Sequence, residues 1–306
     1  MRTLLLIDAN SILHRCFHAL PTLTSSTGEP AQALYGTASI LLKILRDDPP
    51  AYAAALFDRP EPTFRKEKFA EYKAQRPPTH ADLVGQLHVA PELFHAFGIR
   101  TFDAPGWEAD DLIATLARRF GEADLRVEIL TGDRDTLQLV RGDKVVVRTF
   151  VKGISETAIH DEAAVREKYG LPPDKLADYK ALVGDPSDNI PGVVGVGPKT
   201  AADLLRRFGD IAGIFAHPED PQVKRLWPRR EEAFLALDLV RLKNYEDLPG
   251  RNIAELAAAF NPDAAAAYLE KMGFKTLRER LLNPKPAVAK RRPAPPMDQP
   301  AQGKIF

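Results

Sequence analysis

The sequence contains a single cysteine, Cys16, in 306 residues. One cysteine excludes a disulfide framework within the chain and fits a reducing, cytoplasmic setting. Its ordinary role is that of a small buried hydrophobe. Long apolar runs are missing too, since none approaches the ~20 residues that a membrane helix needs. The opening run Leu4-Leu5-Leu6-Ile7 is too short for a secretory leader and ends on an acid, Asp8. Net charge is absent as well, with 42 Lys plus Arg against 42 Asp plus Glu. Global charge therefore neither announces nor excludes a polyanionic partner, because clustered acids can offset a basic surface elsewhere. What is present is apolar material, 44% of the residues, enough to fill one large domain and a smaller one.

Short apolar runs mark strands at 4–7, 51–57, 127–130 and 144–148. Helical patterns fall between them at 33–45, 81–97 and 109–120. Strands alternating with helices predict an α/β fold with a parallel sheet covered on both faces. After about residue 160 the strand signals stop. Helices are expected at 161–169, 175–183, 200–208, 231–242 and 252–260, punctuated by Pro pairs and Gly-containing loops. The domains expected are therefore 1–165, α/β, and 166–282, small and helical. From 283 to 306 the composition turns to Pro, Ala and charge, which cannot bury a core and is expected to be disordered. No internal repeat is visible.

The strongest signal is where the carboxylates fall. Asp8 follows the first strand, Asp58 the second, and Asp133 and Asp135 the third, while Glu108, Asp110 and Asp111 open a helix. Sites on open parallel sheets form beyond the carboxyl ends of the strands, so these acids are expected to converge. Each one alone reads as well as a turn or N-cap residue. Four such coincidences at converging positions do not. Gathered carboxylates repel one another, and a divalent cation relieves that repulsion. An oxygen-only set, with no cysteine or histidine cluster, suits Mg²⁺ or Mn²⁺, and two such ions make a phosphoryl-transfer site. Asp185 and Asp188, in the run GDPSDN, add a pair that one helical turn would place on one face. A plain loop is the alternative for that segment.

Two further stretches carry chemistry. Residues 64–76, FRKEKFAEYKAQR, hold Arg65, Lys66, Lys68, Lys73 and Arg76 with Phe64, Phe69 and Tyr72 interleaved. Basic side chains can hold phosphates and an aromatic can stack on an unpaired base. A solvated amphipathic helix is the competing reading. The run 192–200, GVVGVGPKT, fails as a P-loop because Pro198 separates Gly197 from Lys199. It fails as a dinucleotide fingerprint because no strand precedes it and Thr200 stands where a third Gly is needed. A helix–hairpin–helix at 185–208 fits better. Amides of Gly192, Gly195 and Gly197, with Lys199 and Thr200 at the next helix start, would then grip a backbone phosphate.

With these motifs in place the chain resembles the 5′ nuclease domain of bacterial DNA polymerase I, within the flap endonuclease family. The matching stretches include LLLIDAN, GEPAQALYG, ALFD, TFR, EYKAQRPP, EADD, LTGDRD, KYGLPP, LVGDPSDNIPGVVGVGPKTA and LLRRFG, in the family's order over 3–282. The resemblance implies a PIN-like parallel-sheet nuclease domain with a helical arch near 64–95, followed by a helical domain with a helix–hairpin–helix (H3TH). It implies metal ligands at Asp8, Asp58, Glu108, Asp110, Asp111, Asp133, Asp135, Asp185 and Asp188. Asp110 would lie between two ions, the earlier acids holding one and the later acids the other. Lys73 and Arg76 match arch residues near the scissile phosphate, with Asp110 counted among the catalytic groups. Arg65 and Tyr72 are expected to hold substrate. The hairpin is expected to bind the duplex, with K⁺ there in some members. His14 stands where the family often has Tyr.

The expected activity is 5′-3′ exonuclease and flap endonuclease cleavage at 5′ flaps, nicks and primer junctions of DNA, by a cytoplasmic (nucleoid) monomer. A metal-free branched-DNA binder would have lost acids, and none is lost. A PIN-like ribonuclease would lack both EYKAQR and the glycine hairpin. The resemblance ends near 282 with no polymerase or proofreading domain after it, so a free-standing or shortened nuclease is expected. Gln302, Ile305 and Phe306 also resemble a short sliding-clamp-binding motif at the end of a Pro-rich tether.

Overall fold

Alternation within the first strand, β1 (Arg2–Asp8), sends Leu4 and Leu6 to one face of a sheet and Leu5 and Ile7 to the other. All four are buried, as a central strand covered on both faces requires. The computed structural model describes residues 1–122 and 124–284. β1 pairs in parallel with β2 (Tyr52–Leu56) and with β4 (Leu125–Leu130). Beyond β2 lies β3 (Arg100–Phe102), and beyond β4 lie β5 (Val145–Lys152) and β6 (Glu156–His160). The order is β3-β2-β1-β4-β5-β6, parallel except for the last, antiparallel pair. Neither β3 nor β6 is expected from the sequence. One has three residues, and the other reads ETAIH, too polar to stand out.

The first face of the sheet is covered by α1 (Ala9–Ala19), α2 (Gln32–Asp47) and α4 (Ala81–Ala96). The second carries α5 (Ala109–Phe120), whose buried stripe includes Leu112, Ile113, Leu116 and Phe120. The short α3 (Phe64–Lys68) follows β2, and α6 (Glu162–Tyr169) follows β6. The basic stretch is thus not one helix. It is α3 followed by turns through residue 76, and α4 begins only at Ala81.

A third core lies in the helical part. It joins α7 (Leu176–Val183), α8 (Pro198–Phe208), α9 (Ile211–Phe215), α10 (Pro221–Leu226) and α11 (Arg230–Val240). Between α7 and α8, β7 (Gly184–Asp185) and β8 (Ile190–Pro191) make a minimal antiparallel pair.

Two expectations are corrected here. The helical unit does not run to residue 282. After α11 the chain returns to the sheet, where Leu242, Leu248 and Leu256 join the second core. Helices α12 (Pro262–Lys271) and α13 (Lys275–Leu282) then place Leu269 and Leu277 in the first core. Nor is 252–260 a helix beyond one 3₁₀ turn at Ile253–Leu256. The amides of Ala258 and Ala259 donate instead to Ala51 and Gly98 carbonyls, so the chain runs extended along the sheet edge. At that crossing Gly98 has φ +71, and a Cβ there would sit 2.2 Å from the Ala259 carbonyl oxygen. The residues of the clamp-like motif, Gln302 to Phe306, lie outside the described residues.

Candidate functional site

Strand register brings the acids to one edge. Asp8 ends β1 opposite Leu56, and Ile7 lies opposite Leu130, so Asp58 and the 131–135 turn follow at the same end. Asp8 caps α1, with Oδ1 accepting from the Ser11 amide at 3.0 Å and Oδ2 from the Thr131 hydroxyl at 2.6 Å. Asp58 Oδ1 accepts from the Ala109 amide at 2.7 Å, tying the end of β2 to the start of α5. Asp8, Asp58, Glu108, Asp110 and Asp133 line one cavity of 620 Å³, and Lys73 and Arg76 form part of its wall.

These carboxylates are held at an electrostatic cost. Burial, then repulsion from Asp58, pushes Asp8 up to about 7. Burial, then repulsion from Asp133, Asp8 and Asp58, raises Asp110 well above the carboxylate range. Its Oδ1 is buried and has no hydrogen-bond partner among the described residues. Burial also raises Asp58. Burial, then Asp133, pushes Asp135 to about 7 although Lys180 touches it.

A second set lies on the helical side. Lys180 contacts Asp135 and reaches Asp185 at 2.7 Å. Burial works against the Asp185 charge, yet Lys180 and Ser187 hold this group below its ordinary range. Asp188 accepts from Arg76 at 2.6 Å and from the Tyr72 hydroxyl at 2.9 Å. Glu108 accepts from the same hydroxyl at 3.0 Å and from Lys73 at 3.1 Å. Glu108 and Asp188 are thereby bridged, although 80 residues apart in sequence.

Among the described residues, no three His, Cys, Asp or Glu side chains close on a common point as they stand. Lys73, Arg76 and Lys180 instead pair with these carboxylates. The donor chemistry nonetheless fits a hard divalent ion: buried oxygens, raised carboxylates and one orphaned oxygen on Asp110.

The raised acids set a direction for stability against pH. A carboxylate raised on folding binds its proton more tightly in the folded state, so it favours folding as pH falls toward its unfolded value. Asp8 and Asp135, both near 7, are therefore expected to make the metal-free protein melt higher at pH 6.5 than at pH 8. Below pH 6.5 the trend is opposed by His14 and His160, both lowered by burial, which bind protons more readily once unfolded. Scanning calorimetry in EDTA over this range checks the sign; a flat or falling melting temperature from pH 8 to 6.5 refutes it.

Four site expectations are corrected by the geometry. Arg65 is 1% exposed, with its guanidinium on Asp111 at 2.5 and 2.8 Å, so it is not presented to a ligand. Asp111 is 0% exposed and does not line the cavity, because Arg65 takes both its oxygens. Tyr72 is 3% exposed and packs in the third core, where its ring cannot stack on a base. Gly192 packs against the backbone of residues 183 and 184, where a Cβ would meet the Val183 carbonyl at 2.3 Å.

Gly195, with φ +86, and Gly197 instead have open space beside them, and Lys199 is exposed. Buried Val193 and Val196 anchor this hairpin, while Val194 is exposed at its tip. Gly192→Ala is thus expected to lower stability by about 1–3 kcal/mol through overpacking. Gly197→Ala should change it little, and thermal melting of the two variants separates them.

Several cavity residues carry signals too weak to read from sequence alone. Asn10 accepts from the Asp58 amide at 3.1 Å, and the Ser11 hydroxyl accepts from the Gly132 amide at 2.8 Å. Both sit on the first turn of α1, a helix with no clear sequence pattern. His14, Arg15 and His18 line the cavity from the same helix at i, i+1 and i+4. Lys180 lies five residues before Asp185, which becomes legible only once α7 is known to end between them.

Comparison with known proteins agrees with this architecture. Residues 3–170 match the 5′-3′ exonuclease N-terminal resolvase-like domain, and 171–259 match the 5′-3′ exonuclease C-terminal SAM fold. The chain belongs to the 5′-3′ exonuclease family, and is a nuclease by that membership. A 5′-3′ exonuclease of Aquifex aeolicus is 38% identical over 248 residues, covering 81% of this chain and 83% of the relative. DNA polymerase I of Bacillus subtilis is 36% identical over 284 residues, or 92% of this chain. The chain spans about a third (32%) of that polymerase's length. Among solved structures, a T5 5′-exonuclease with bound zinc shares the fold at TM-score 0.66 and 23% identity, covering 92% of this chain and 98% of that one. No helix among the described residues is long and apolar enough to cross a membrane.

Proposed function

We propose that this nuclease is a structure-specific 5′-3′ exonuclease and flap endonuclease, hydrolysing phosphodiesters near the 5′ end of flapped, nicked or RNA-primed duplex DNA with two divalent ions. The observation that carries the reading is the buried, unpartnered Asp110 oxygen among mutually repelling carboxylates at the sheet's carboxyl edge. Asp8, Asp58 and Glu108 would hold one Mg²⁺ or Mn²⁺, and Asp133, Asp135, Asp185 and Asp188 would hold the other, with Asp110 available to either. Bound ions of this kind acidify water and stabilise charge on a phosphoryl group.

Lys73, Arg76 and Lys180 are counter-ions to the carboxylates in this structure, and Lys73 and Arg76 would neutralise charge on the scissile phosphate. Gly195 and Gly197, with Lys199 and Thr200 at the N-terminus of α8, hold a duplex phosphate at a distance from the chemistry. The same hairpin is where K⁺ would be expected by resemblance to the family. A solved T5 flap endonuclease complex with DNA and metal ions has the same fold, which supports DNA and divalent metal as the classes of partner.

The test is cleavage of a 5′-labelled flap duplex with Mg²⁺ and, in parallel, with EDTA. Short 5′ products are expected only with metal. Cutting that persists in EDTA, or none with either Mg²⁺ or Mn²⁺, overturns the reading.

A further inference from the structure

The geometry points to Arg65 and Asp111 as a latch that fixes the helical unit against the catalytic helix α5, with Asp111 a positioning residue and not a metal ligand. This inference rests on the proposed nuclease site, whose acids come from both of the sides that the latch joins.

The Arg65 guanidinium has five N–H donors, and five contacts use them. Two go to Asp111, at 2.5 and 2.8 Å. One goes to Glu108, at 3.3 Å. Two go to carbonyls at the end of α11, Leu239 at 2.7 Å and Arg241 at 3.3 Å. Asp111 in turn accepts from the Lys243 amide at 2.8 Å. The pair therefore touches α3, α5 and the chain just after α11 at one point.

Adjacent residues on a helix point about 100° apart. Asp110 accordingly lines the cavity while Asp111 faces α11. The chain leaving α3 bears Tyr72, Lys73 and Arg76, so the latch also fixes where that segment starts. From Arg65 the contacts continue through Glu108 and the Tyr72 hydroxyl to Asp188. One buried ion pair thus sets the spacing between the acids of α5 and those that follow α7.

A buried ion pair adds little net stability compared with an apolar pair of similar volume, whereas removing one partner alone is costly. That asymmetry separates positioning from bulk packing. The experiment compares wild type, Arg65→Met, Asp111→Leu, the double variant and Asp111→Asn. Each protein is measured by thermal melting, by Mn²⁺ binding calorimetry and by single-turnover cleavage of flap DNA.

Each of the two apolar single variants is expected to lose about 10 °C in melting temperature through its unpaired charge. The double variant should melt above either single variant, though below wild type because the Leu239 and Arg241 carbonyls and the Lys243 amide lose their partners. It should still cleave about 10²-fold more slowly, because the acids are misplaced. Its Mn²⁺ stoichiometry should equal that of wild type, and Asp111→Asn should bind Mn²⁺ within about threefold of wild type. If Asp111 is a ligand, Asp111→Asn and the double variant lose an ion or bind it over tenfold more weakly while Arg65→Met does not, and the latch is overturned. Full recovery of cleavage in the double variant also overturns it, by showing that the pair only fills space. Should the double variant fail to fold, Asp111→Asn decides between ligand and latch alone. Wild-type cleavage in the same assay tests the proposed function separately.

Discussion

Asp110→Asn is expected to abolish Mg²⁺-dependent cleavage, by on the order of 10³-fold or more, and at the same time to stabilise the metal-free protein. Both effects come from one observation. Asp110 is buried, repelled by four other aspartates, and has an oxygen with no partner. Removing its charge removes a repulsion that the fold otherwise bears, so the variant should melt higher than wild type at alkaline pH. Melting in EDTA and single-turnover cleavage with Mg²⁺ measure the two sides. A variant that is less stable and inactive would mean that Asp110 supports the fold, and one that cuts normally would remove it from the site.

The second large effect concerns Lys73 and Arg76. Each is expected to lower the single-turnover rate by about 10²–10³-fold when changed to Ala, with duplex affinity nearly unchanged. Lys199→Ala should do the opposite, weakening binding and lowering its salt dependence by about one counter-ion. The division follows from position. Lys73 and Arg76 stand on Glu108 and Asp188 in the cavity wall, whereas Lys199 is exposed on the first turn of α8. Removing Lys73 also frees Glu108 of a cation, so this variant should bind Mn²⁺ more tightly while cutting more slowly. Parallel losses of rate and affinity in all three variants would sink the division.

The acids were legible in the sequence because strands end visibly. A short, continuous apolar run that stops near a carboxylate marks both the strand and its edge, and Asp8, Asp58 and Asp133 each follow such a stop. Arg65 and Asp111 were not legible. Both belong to motifs that invite a ligand reading, and only packing shows that they satisfy each other across 46 residues. Tyr72 misled for a related reason: an aromatic among basic residues looks like a stacking platform until its ring is found in a core. The stretch 252–260 carries many alanines, which favour helix locally, but the edge of the sheet offered its amides carbonyl partners instead. Lys180 was overlooked because a lone lysine on a helix has no pattern, although it joins two of the acids.

The return of α12 and α13 to the first face of the sheet bears on how the chain is made. Leu269 and Leu277 share a core with Leu34, Leu41 and Phe94, more than 170 residues upstream. During synthesis the helical unit, with a core drawn almost wholly from residues 171–240, can close before that face of the sheet is covered. The catalytic side must wait with apolar surface uncovered until residue 282 has left the ribosome. The order of completion is thus the reverse of the order of sequence: the helical unit closes first, and a segment translated after it seals the sheet that was made before it.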